Sequence, residues 1–66
     1  MPSYRVYLIN SGFFANSEYS TIAEAKVAAR ETGFECLIYD GTAVIGSITG
    51  INKTWICFHS EYHYAE

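Results

Sequence analysis

Positive charge is what this chain has least of. Four basic residues, Arg5, Lys26, Arg30 and Lys53, stand against seven Asp and Glu, for a net charge of −3. Nucleic-acid binding draws on a basic footprint that displaces counterions from phosphates. Four scattered cations do not make one, so no nucleic-acid partner is expected. Cysteine is nearly as scarce, with only Cys36 and Cys57. Small secreted scaffolds are far denser in disulfides. No apolar run approaches the ~20 residues of a membrane span, and Met1-Pro2 opens no basic-then-apolar leader. These shortages together lead us to expect a cytoplasmic chain with reduced thiols and no membrane partner.

What the chain has is apolar and aromatic surface. Half of its 66 residues are hydrophobic and 17% are aromatic. A chain of this length makes one domain, 1–66, and buries only roughly 60% of the surface its unfolded form exposes. The apolar content exceeds what one small core uses, which points to burial against another chain.

The elements follow from local patterns. "SYRVYLIN" (3–10) reads as a strand, "NSG" (10–12) as a turn, and "FFANSEYS" (13–20) as a short strand pairing back on the first. Over 20–33, Thr21 and Glu24 form a capping box, while Ile22, Ala25, Ala28, Ala29 and Thr32 recur at helical spacing. Gly33 closes this helix, with Phe34 as its apolar clasp. "FECLIYDGTAVIGSI" (34–48) then reads as a hairpin around Asp40-Gly41, and 54–64 as a last strand after a 50–53 loop. The order is ββαβββ: an α+β fold with a single antiparallel sheet and helix 21–32 on one face.

A two-residue Asp40-Gly41 turn sets Tyr39 opposite Thr42 and Ile38 opposite Ala43; the 50–53 loop sets Ser47 opposite Ile56. Alternation then gathers Phe34, Cys36, Ile38, Ala43, Ile45, Ile56 and Phe58 under the helix. The other face receives Glu35, Leu37, Tyr39, Thr42, Val44, Trp55, Cys57, His59 and Glu61. Exposed aromatic and aliphatic patches mark contact surfaces, and Trp and Tyr concentrate binding energy. The expected site is therefore Trp55, Leu37, Val44, Tyr39 and Tyr7, with His59 and Glu61 at its rim. The competing reading folds the C-terminal segment or the 10–20 loop over the same face. A one-residue slip in register would exchange the two faces.

Chemistry-bearing patterns are weaker. In "CFHSEYH", Cys57, His59, Glu61 and His63 alternate on one face of a strand, spanning ~20 Å at ~6.6 Å per step. Zinc ligands must all reach within ~2.3 Å of one ion, so neighbouring pairs can share a metal and the whole set cannot. A metal-responsive protein using Cys57, His59 and His63, completed by another strand or chain, is the alternative function. Cys36 falls on the opposite face, which excludes it as a further ligand and as a disulfide partner. "GTAVIGS" (41–47) has phosphate-loop spacing without the lysine or the following helix. Gly41 reads better as a turn and Gly46 as a strand kink. No nucleophile, base and orienting group come together, so neither an enzyme nor a cofactor is expected.

The first forty residues, "YRVYLINSGFF…AEAKVAARETGFECLIYD", resemble the sporulation-related repeat that binds septal peptidoglycan. That domain opens with a strand, a G-x-F turn, an Ala-rich helix and G-F before its next strand. It carries a second helix near its end, where this chain has "TWICFHSEY", a strand, so we do not assign the chain to it. The function expected from the residues is a non-catalytic interaction module that self-associates or docks a protein partner.

Overall fold

The computed structural model describes residues 3–58. Strands β1 (Tyr4–Leu8) and β2 (Phe13–Tyr19) precede helix α1 (Ile22–Thr32), which is followed by β3 (Cys36–Asp40), β4 (Ala43–Thr49) and β5 (Thr54–Cys57). The five strands form one sheet in the order β2-β1-β3-β4-β5, every neighbouring pair antiparallel. This is the α+β, ββαβββ arrangement expected, and residues 13–19 do form a strand. The continuation of the last strand to 64 lies outside the described residues.

Each turn has a local cause. Gly12, at φ +75°, closes the β1–β2 hairpin and donates its N–H to the Leu8 carbonyl at 2.9 Å. Thr21 caps α1: its Oγ1 accepts the Glu24 N–H at 3.1 Å and donates to Glu24 Oε1 at 3.3 Å. Gly33, at φ +76°, ends the helix in the left-handed region and donates to the Arg30 carbonyl. Residues 50–53 make the four-residue loop read from the sequence, with Thr49 opposite Thr54.

Helix α1 lays Ile22, Ala25 and Ala29 on the sheet. The two alanines are fully buried, and their small side chains let the helix approach closely. They cover Val6, Cys36, Ile38, Ile45 and Ile48. Cys36 faces the helix directly, its Sγ 3.8 Å from the Ala29 carbonyl. Phe34, expected in this core, is 55% exposed, because the chain leaves the helix at Gly33 and enters β3 only at Cys36.

The β3–β4 hairpin departs from expectation in two steps. Its loop is Gly41-Thr42, with Asp40 opposite Ala43 and Tyr39 opposite Val44. Gly41 has φ +64° at the first loop position, where a type II′ turn needs it. This displaces the pairing by two residues and leaves the faces unchanged. The register then shifts, so that Ile38 lies opposite Gly46 rather than Ile45. One extra residue makes a β-bulge, and every side chain beyond it changes face. Ile45 before the bulge and Ile48 after it therefore both enter the core.

The β4–β5 pairing is as expected, with Ser47 opposite Ile56, but it carries the inversion onward. Trp55 lies opposite Ile48 and packs against the core on the helix side. Ile56 and Phe58, expected beneath the helix, are 49% and 48% exposed. The placement of Trp55 on the helix-free face is thus corrected.

Candidate docking face

The helix-free face is built from alternate residues of all five strands. One row crosses the sheet: Phe14 pairs with Tyr7, Tyr7 with Leu37, Leu37 with Ser47, and Ser47 with Ile56. A second row places Glu18 opposite Arg5, Arg5 opposite Tyr39 and Tyr39 opposite Val44. Four expected site residues, Tyr7, Leu37, Tyr39 and Val44, are therefore brought together. The only helix among the described residues lies on the other side of the sheet.

Three rings form the centre of one half. Tyr7 and Phe14 meet edge to face at 5.0 Å between centroids, as do Phe14 and Tyr39, and Tyr7 lies 6.1 Å from Tyr39. The positive edge of each ring meets the negative face of the next, which favours this arrangement over stacking. The Arg5 guanidinium lies over Phe14, its Cζ 4.1 Å from the centroid. Such a cation is attracted by the ring quadrupole. The Nε of Arg5 is buried and has no hydrogen-bond acceptor among the described residues. Its cross-strand neighbour Glu18 has turned Oε1 to the Ser3 hydroxyl, which donates to it at 2.6 Å.

Toward β5 the face becomes aliphatic. Leu37 and Val44 are half-buried, Ser47 is 5% exposed between its two neighbours, and Ile56 stands out. Glu35 is occupied, its Oε2 accepting the Gly50 N–H at 2.9 Å.

Trp55 belongs instead to the packing of the helix side. The Lys26 Nζ lies 5.0 Å from its ring, and its Nε1 is buried with no acceptor among the described residues. His59 and Glu61, the expected rim, lie outside the described residues. So do His63 and the metal pairing that involved it. Cys57 shares the helix side with Trp55 by alternation, which corrects its assigned face and removes the reason given for excluding a bond to Cys36. The two thiols stay unbridged for another reason. They sit two strands apart, ~9.6 Å at sheet spacing, beyond the ~7 Å Cα separation a disulfide spans. Among the described residues no three His, Cys, Asp or Glu side chains gather.

The sequence reading missed Phe14, Arg5 and Ile56. Phe14 had a signal in the "FF" pair, of which one ring must face away from the helix in any strand. Ile56 was misplaced by the bulge, whose mark is Gly46 within a strand.

A concave part of the described surface lies elsewhere. A groove of about 440 Å³ runs along the outer flank of α1, lined by Tyr19, Ala23, Glu24, Val27, Ala28 and Glu31. Glu24 there is engaged by Ser20 and Thr21 in the helix cap. We place the candidate site on the sheet face because aromatic, aliphatic and charged groups converge there. Among known proteins, no family model, no curated protein and no solved structure matches the chain.

Proposed function

We propose that this chain is a non-catalytic interaction module that docks a protein partner through its helix-free sheet face. The supporting observation is the row Phe14–Tyr7–Leu37–Ser47–Ile56, which runs across every strand on the side without a helix. Aromatic and aliphatic groups in one contiguous patch offer area whose removal from water drives association. Tyr7, Leu37, Tyr39 and Val44 keep the role the sequence suggested; Phe14 and Ile56 take the place of Trp55. No helix among the described residues is long and apolar enough to cross a membrane. A cytoplasmic setting suits two cysteines that form no disulfide.

The test is a photo-crosslinking amino acid at Tyr39, compared with the same group at the exposed Val27 on the helix. A docking face gives discrete protein adducts from position 39 in cells of the source and none of the same mass from 27. Equal adducts from both, or none from 39, would remove the support for this reading.

A further inference from the structure

The contact surface contains a charge that any partner must deal with. Arg5 is the one cation on the helix-free face among the described residues; Lys26 and Arg30 sit on α1, and Lys53 in the β4–β5 loop. It is not at the edge of the aromatic patch but stacked on Phe14, a residue that touches both Tyr7 and Tyr39. A partner that covers the rings also covers the guanidinium. Burying a charge without a counterpart costs more than the surrounding apolar contact returns, whereas a paired and hydrogen-bonded charge is tolerated.

We infer that the partner presents a carboxylate to Arg5, set between apolar side chains that cover Tyr39 and Leu37. This rests on the docking reading above and names the chemistry of its occupant. The guanidinium already rests over the Phe14 ring, so part of its freedom is spent before pairing. A planar, two-oxygen acceptor matches the fork of its N–H groups. Among the described residues, the carboxylates on this face each have one oxygen engaged within the chain, Glu18 by Ser3 and Glu35 by Gly50. Among those residues, a second copy laid face to face brings only carboxylates that are already engaged in this way, which favours a different chain as the occupant. The net charge of −3 argues against a long acidic tract, since repulsion from the whole molecule would oppose it. A single Asp or Glu in an otherwise apolar segment meets both conditions.

The experiment is selection of random twelve-residue displayed peptides on the wild-type protein, followed by affinity and amide-shift mapping of the winners. The expected winners carry one Asp or Glu beside aromatic or aliphatic residues, and they shift Tyr7, Leu37, Tyr39 and Ile56. Their affinity falls at least about 30-fold on Arg5→Gln, the loss typical of truncating one partner of a buried charge pair. Arg5→Lys restores part of it and shows that the face is still folded. Winners that shift the same residues without an acid overturn the carboxylate and leave the docking face standing. Winners that map elsewhere, or no winners at all, overturn both. Sedimentation of the wild-type chain as a dimer that Leu37→Asp dissolves would make a second copy the occupant and overturn the inference.

Discussion

The indole of Trp55 occupies the space that a side chain on Gly46 would fill. A Cβ built at Gly46 would stand 2.6 Å from Trp55 Cζ3 and 2.6 Å from the Ile56 carbonyl oxygen, with the Cη2 carbon closer still. Glycine at this position serves two ends at once. It accommodates the extra residue of the β4 bulge, and it gives the largest side chain of the molecule a seat against the sheet.

Gly46→Ala should therefore cost about 2 kcal/mol through overpacking. Neither the indole nor the β5 backbone can retreat without opening the sheet. Trp55→Leu removes the indole's share of the clash, together with part of the packing, and leaves the contact with the Ile56 carbonyl, so the two substitutions should be partly non-additive in chemical denaturation. Additive losses would mean that the two residues do not meet.

Phe14 is the ring on which the helix-free face is organised, since it touches Tyr7, Tyr39 and Arg5. Phe14→Leu keeps a comparable apolar side chain and removes both edge-to-face contacts and the cation's seat. A loss of about 1–2 kcal/mol in urea unfolding is expected. A neutral result would show that the cluster contributes nothing beyond its area.

The start of α1 should carry a pH dependence. Hydrogen bonds from Ser20, then Thr21, hold the Glu24 carboxyl below the usual carboxylate range. A depressed folded-state pKa stabilises the fold above the unfolded value, and this contribution disappears as pH falls through the folded value. Carbon-detected titration of the Glu24 carboxyl should show its midpoint rising in Ser20→Ala. Thr21→Ala should in addition destabilise the protein by about 1 kcal/mol through loss of the cap.

The two thiols should differ in reactivity. Cys36 is fully buried beneath α1, whereas Cys57 is only partly buried. Under native conditions an aromatic disulfide reagent should label Cys57 first, and Cys36 only as fast as the protein opens. Equal rates would contradict the burial of Cys36.

Much of this fold was legible because its signals are local. Thr21 and Glu24 announce the start of α1 and Gly33 its end, each through a hydrogen bond or a backbone angle within a few residues. The 50–53 loop likewise fixed the pairing of Ser47 with Ile56. What escaped was a single inserted residue. Strict alternation puts Ser47 in the core and Ile48 outside, whereas the bulge buries Ile48 and frees Ser47 to join the row on the other face. Gly46 carried that information as a glycine inside an apolar strand, but a kink and a bulge look alike without knowledge of the neighbouring strand. Because β5 pairs with β4 beyond the bulge, the error propagated to Trp55, Ile56 and Cys57. Upstream of it, Tyr7, Leu37, Tyr39 and Val44 were placed correctly.

The proposed docking face and its demand for a carboxylate both presuppose that this inversion is real. The most direct test is the set of proton–proton contacts made by the Trp55 ring in a nuclear Overhauser spectrum. The structure requires cross-peaks from the indole to the Gly46 α-protons and the Lys26 side chain, together with cross-peaks among the Tyr7, Phe14 and Tyr39 rings. An indole whose cross-peaks run to Leu37 and Val44 would put Trp55 back on the helix-free face and contradict the arrangement described.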